Sequence, residues 1–103
     1  MKKELKVRPK ADVDLAGHFL YLKDRSPKTA RRFIEAVEEA LGRIKLDPSL
    51  GVRLELPGRE HHDLRAFRPK SFPKHLIFYW IREDAIYVLR ILHSAQNWEA
   101  ELG

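Results

Sequence analysis

The spacing of apolar residues changes along this chain, and the changes mark its elements. From Glu4 to Arg8 charged residues alternate with Leu5 and Val7, which predicts a short strand with one face on a core, stopped by Pro9. Between Ala11 and Arg25, Leu15, Phe19 and Leu22 fall at i, i+4 and i+7, the stripe of an amphipathic helix. Asp12 and Asp14 lie near its start, where the helix dipole favours negative charge, and Gly17 weakens its middle. Ser26-Pro27 is a second helix start, a capping serine followed by a proline whose missing N–H costs nothing there. Ala30, Phe33, Ile34, Val37, Leu41 and Ile44 continue the stripe as far as Asp47-Pro48, which ends it. So short a link folds the two helices into an antiparallel hairpin.

The pattern then shifts to strand-like. Leu50 to Arg59 contains Gly51, Pro57 and Gly58 and reads as a loop with an irregular edge segment; Asp63 to Arg68 begins a strand, and Pro69 to Pro73 is a basic turn. His75 to His93 follows as two runs dense in β-branched and aromatic residues, split by Arg82-Glu83-Asp84, which predicts a β-hairpin. Alternation places Leu76, Phe78 and Trp80 on one face and Ile77, Tyr79 and Ile81 on the other, so neither face reads as solvent. A two-residue turn is expected to set Tyr79 opposite Arg90, Ile81 opposite Val88 and Phe78 opposite Ile91. Ser94 is expected to cap a short last helix, Ala95 to Leu102, with Trp98 as its one large apolar residue. The fold class is α+β: an N-terminal strand, an α-helical hairpin, then a three-stranded antiparallel sheet with a short C-terminal helix, in one domain spanning residues 1–103.

Helices supply cover for one face of such a sheet. The second face is covered either by a partner or by the C-terminal helix with Trp98.

Composition adds a sign and a compartment. Twenty Lys and Arg against fifteen Asp and Glu give +5, which suits an acidic protein or a nucleic acid. The excess is uneven: Arg65, Arg68, Lys70, Lys74 and Arg82 lie in a stretch free of acids, whereas Glu35, Glu38 and Glu39 cluster in the second helix. The apolar runs are too short to cross a bilayer, and MKKELKVRPK lacks the apolar core of a secretory signal. Without cysteine there is neither a disulfide framework nor thiol chemistry, which fits the cytoplasm. His61-His62-Asp63 invites a metal reading, but neighbouring strand residues point to opposite faces and no further ligands stand at a usual spacing, so no metal and no cofactor is expected. His18 beside the first helical stripe reads as a boundary residue.

Several segments together carry a family likeness: Ala11-Asp12-Val13-Asp14-Leu15, Ser26-Pro27 through Phe33, Asp47-Pro48-Ser49-Leu50-Gly51, Leu64-Arg65 through Phe72, Leu76-Ile77-Phe78-Tyr79, and Leu89-Arg90-Ile91-Leu92-His93-Ser94-Ala95. In order and spacing they resemble the ParE branch of the RelE/ParE toxin superfamily, across nearly the whole chain. The resemblance implies the toxin half of a bacterial type II toxin–antitoxin pair, which inhibits DNA gyrase and is neutralised by a small antitoxin wrapped around it. Trp80 and Gln96 stand where relatives often carry arginine. On this reading the chain is an inhibitor without chemistry of its own, and Phe78, Trp80, Tyr87, Arg90, His93 and Trp98 are its candidate partner-binding residues.

Two alternatives use the same residues differently. RelE-like relatives cut mRNA on the ribosome, which needs a base for the ribose hydroxyl, a cation for the phosphorane and an acid for the leaving oxygen. Arg65, Lys74, Arg90 and His93 are the candidate set for that chemistry, with Tyr79 a second proton carrier. A non-toxic nucleic-acid-binding module would instead use Arg65, Arg68, Lys70, Lys74 and Arg82 as a patch. Arg90 also has a structural reading, a guanidinium stacked over Tyr79. His93 has one too, capping the turn into Ser94.

Overall fold

The computed structural model describes residues 3–102. Its elements run β1 (Glu4–Val7), α1 (Pro9–Arg25), α2 (Pro27–Leu46), a 3-10 turn (Pro48–Leu50), β2 (Val52–Leu54), β3 (Asp63–Phe67), β4 (His75–Ile81), β5 (Ala85–His93) and α3 (Trp98–Leu102). The strands form one five-stranded sheet in the order β1-β5-β4-β3-β2. Only β1 runs parallel to its neighbour; the other pairs are antiparallel. The expected three antiparallel strands are therefore the centre of a wider mixed sheet. One edge gains β2, whose Val52 and Arg53 are exposed and so carry no apolar alternation. The other gains β1, set beside β5 by Leu5 and Val7, which pack into the core.

The helical hairpin forms where the stripes predict it. Pro9 opens α1 rather than merely ending β1, and Ser26 caps α2 by accepting the Thr29 N–H at 3.2 Å. Phe33, Val37, Ala40 and Ile44 of α2, all fully buried, pack with Ile77, Tyr79, Ile86, Val88 and Ile91 of the sheet. This face is the main core.

The register of the central hairpin differs from the expected one. Ile81 faces Ile86 and Tyr79 faces Val88, then the pairing shifts so that Phe78 faces Arg90 and Ile77 faces Ile91. A β-bulge at Leu89 takes up the extra residue. Its consequence lies in the side chains. Strict alternation after Ile86 and Val88 would point Arg90 into the helix-covered core, where an unpaired guanidinium is costly. The bulge instead hands that face to Ile91 and sets Arg90 beside Phe78 on the other.

That other face is covered from within the chain. Leu56, Leu64, Phe78, Leu92 and Leu102 form a second buried cluster, with Trp80, Leu89 and Trp98 packed against it. Trp98 stacks on Phe78 at a centroid distance of 5.6 Å and an interplanar angle of 25°. Of the two covers the sequence left open, the structure shows the C-terminal helix. This α3 is shorter than expected. Ser94 gives its N–H to the Lys74 carbonyl at 2.6 Å and belongs to a turn. Asn97 caps the helix instead, its side chain accepting the Ala100 N–H at 3.4 Å.

Candidate partner-binding site

The candidate site grows from the point where β1 stops pairing with β5. The β1 pairing ends at Val7 opposite Val88, so beyond the bulge the outer edge of β5 needs another partner. Helix α1 supplies it with two residues one turn apart. Asp14 accepts the Ile91 N–H at 3.0 Å, and His18 Nε2 donates to the Ile91 carbonyl across 2.8 Å. The Asp14 carboxylate also receives Arg90 Nε–H and Nη2–H at 2.7 and 2.8 Å. This pair is mostly buried, with side chains 11% and 15% exposed, and the bonds to Asp14 hold the guanidinium pKa further above its ordinary value. Arg90 is thus a clamp between α1 and the bulged edge, and not a cation stacked over Tyr79. A second carboxylate, Glu101 of α3, takes Arg90 Nη1–H at 2.8 Å.

Around Arg90 opens a cleft of about 800 Å³ between the β1–α1 junction, the second face of the sheet and α3. Arg8, Lys10, Arg59, His62 and Arg90 line it against the single acid Glu101, with Trp80 and Leu64 as its apolar floor. His62 lies 4.9 Å from the Trp80 ring, and Arg82 sits over that ring at 4.4 Å. Removal from water disfavours the charged form of His62 and lowers its pKa, an effect to which His61, Arg59 and Arg82 add.

Of the expected partner-binding residues, Phe78, Trp80, Tyr87, Arg90 and Trp98 share this second face, but Phe78 is 1% exposed beneath Trp98. Tyr87 lies beside Trp80 at 6.4 Å and gives its hydroxyl proton to Asp84. His93 lies apart, on the helix-covered side. Its Nδ1 accepts the Ala95 N–H at 3.0 Å, as the capping reading expects. It also ends a row of edge-to-face imidazoles: His93 to His75 at 5.0 Å and His75 to His18 at 4.9 Å. Burial, then the neighbouring His18 and His93, push the His75 pKa down to about 4, and its Nδ1 has no hydrogen-bond partner among the described residues.

The residues of the cleavage reading do not converge. Arg65 faces Tyr79 while Arg90 faces Phe78, the next position along β4, so the two arginines lie on opposite faces of the sheet. Arg65 is occupied as well, bonding Asp63 at 2.9 Å and the Ser49 and Gly51 carbonyls at 3.2 and 2.9 Å. The basic patch also divides. Arg68, which donates to the Pro73 carbonyl, and the exposed Lys70 and Lys74 lie before β4, whereas Arg82 follows it. A strand of this length separates them by roughly 20 Å.

Sequence reasoning missed Arg8, Lys10, Arg59, Asp14 and Glu101. The first three are scattered lysines and arginines that only the fold collects. Arg90 did carry a signal. A charge falling in step with Ile86 and Val88 marks either a bulge or a buried ion pair, and the structure has both.

Comparison with known proteins agrees with this architecture. A structure described as "Chromosomal ParDE TA system from P. aeruginosa" contains a chain that superposes with a TM-score of 0.70 at 20% identity, covering 89% of this chain and 96% of that one. No curated protein matches the sequence. Residues 5–98 match the family described as "ParE toxin of type II toxin-antitoxin system, parDE". With that match spanning nearly all of β1 through the start of α3, the chain belongs to the ParE toxin family of type II toxin–antitoxin systems.

Proposed function

We propose that this chain, acting as one domain in the cytoplasm, inhibits DNA gyrase by binding it and is itself neutralised by a small cognate antitoxin. The observation that carries a binding role rather than RNA cleavage is the state of Arg65, Arg90 and His93. All three are engaged in bonds that hold the fold together, and they do not meet around a common point. Metal-free cleavage needs a cation, a base and an acid around one phosphate, and these three side chains do not gather around one.

A protein partner is supported by the outer face of α1. Val13, Leu20 and Tyr21 are 72%, 60% and 60% exposed, and helical spacing puts them on one side with Gly17 between. Such a stripe suits a partner's apolar segment. Expression of the chain alone is expected to arrest growth and to accumulate gyrase covalently attached to cut DNA. Co-expression of an antitoxin from a neighbouring reading frame should reverse both. Growth arrest with intact chromosomal DNA and shortened mRNA would point to the ribosome instead.

A further inference from the structure

The turn that joins β3 to β4 is held more firmly than a connection requires. Pro69, fully buried, and Pro73 frame it, and each half closes on a backbone bond: the Phe72 N–H to the Pro69 carbonyl and the His75 N–H to the Phe72 carbonyl, both at 3.1 Å. Arg68 donates to the Pro73 carbonyl, and the Lys74 carbonyl accepts the Ser94 N–H at 2.6 Å. The Phe72 ring is anchored edge-on against Phe33 at 5.2 Å. At the tip Ser71 has a φ of 70°, the third position of a type II turn, where glycine is the ordinary residue because a Cβ is crowded there. Such strain persists only where the surroundings impose it, and it gathers at functional sites. What serine adds over glycine at this exposed tip is a hydroxyl.

We propose that this turn, Arg68 to Lys74, is a contact for the phosphate backbone of duplex DNA. Arg68, Lys70 and Lys74 are exposed, and no acid occurs from Leu64 to Arg82 or from Ala85 to Trp98. The end of the sheet made by this turn and the chain leaving β5 therefore carries cations without carboxylates. Because the turn is already fixed, little ordering cost remains to be met on binding. A neighbouring groove of about 560 Å³ sets Arg32 and Lys70 against Glu35 and Glu39 of α2, so an anion is confined to the tip and does not run along the helix. Other occupants fit less well. A protein partner needs an apolar anchor, and none of the large exposed apolar side chains, Val13, Leu20, Tyr21, Leu46, Leu50 and Val52, belongs to the turn. A single strand needs rings on which bases stack, and Phe72 is turned inward onto Phe33 and His75. Charge on a rigid tip suits sequence-independent contact with duplex phosphates. The inference rests on the gyrase reading for where the DNA is met: the toxin touches the DNA that gyrase holds as well as the enzyme.

The probe is a fluorescein-labelled DNA duplex of about 20 base pairs, titrated with the full-length protein at several salt concentrations and followed by anisotropy. Three phosphate contacts predict that log affinity falls against log salt with a slope of about −3. Lys70→Glu with Lys74→Glu should weaken binding at least about tenfold at low salt. Lys6→Glu with Arg82→Glu makes the same change in net charge at the far end of β4 and should weaken it far less. Ser71→Gly should melt no earlier than wild type, since it relieves the backbone, yet bind about threefold more weakly for want of the hydroxyl. Should the lysine reversals unfold the protein by circular dichroism, Lys70→Gln with Lys74→Gln takes their place, with a smaller loss expected. Equal loss in the Lys6 and Arg82 control, full affinity in the folded Lys70 and Lys74 variants or in Ser71→Gly, or tighter binding of single-stranded DNA, double-stranded RNA or polyglutamate than of the duplex would each overturn the proposal. Capture of gyrase in the absence of DNA reads the enzyme contact by itself. Its failure counts against the gyrase reading, and failure of the duplex titration counts against this one.

Discussion

Tyr79 shows how much one polar atom can organise. Its side chain is fully buried, and its hydroxyl donates to the Pro48 carbonyl at 2.6 Å while accepting the Gly51 N–H at 2.8 Å. Burial pushes the phenol pKa up, so the group stays a neutral donor. The approach is close enough to demand glycine, because a Cβ at position 51 would stand 2.5 Å from the hydroxyl oxygen. Tyr79→Phe leaves two backbone groups without a partner and should cost about 1–3 kcal/mol in urea unfolding, whereas Tyr87→Phe, whose partner Asp84 is exposed, should cost under about 1 kcal/mol. His75 sets a pH dependence. Its folded pKa of about 4 lies below the ordinary 6.5, so between those values the unfolded chain takes up a proton that the folded chain refuses. Stability should therefore fall as pH drops from about 6.5 to about 4, and level off below, by an amount on the order of 1–3 kcal/mol. Denaturant midpoints across that range should show the decline, and His75→Leu should flatten it.

At the scale of elements, the join between α1 and the bulged β5 is the most demanding. Asp14→Ala would remove the acceptor of the Ile91 N–H and leave Arg90 with only the half-exposed Glu101, a loss of roughly 3 kcal/mol. Glu101→Ala, by contrast, should cost under about 1 kcal/mol, since that pair is wet. Comparing the two by chemical denaturation separates the clamp from the tail. Much of this scale was legible beforehand. Ser26-Pro27 announces α2 because capping chemistry is local, and the division of β4 into two apolar faces follows from a period of two. The bulge was not legible, because a single inserted residue reverses facing without changing composition. Nor was β2, three residues with exposed Val52 and Arg53, which is a strand only because β3 offers it an edge. The start of α3 was misplaced because the backbone of Ser94 is claimed by Lys74, a contact between residues twenty apart in sequence.

For the whole molecule, the two-faced sheet remains the central fact, though its second face has an owner. The chain covers one side with its helical hairpin and the other with Leu56, Trp98 and Leu102. Open features among the described residues include the outer stripe of α1 and a cationic cleft beside α3. The family, the helical hairpin, the three central strands and the two faces could be read from the residues; the wider mixed sheet could not. The cleft could not, since Arg8, Arg59 and Arg90 come from three distant segments brought together by the pairing of β1 with β5 and by the loop before β3. That assembly lies on the face of the sheet opposite Arg65 and His93.

The most direct test is a titration of purified protein into a supercoiling reaction with gyrase, run beside translating ribosomes loaded with mRNA. Supercoiling should fall with added protein while cleaved, gyrase-linked DNA rises, and the mRNA should stay whole. Undisturbed supercoiling together with cut mRNA, the cutting lost in His93→Ala, would contradict the account.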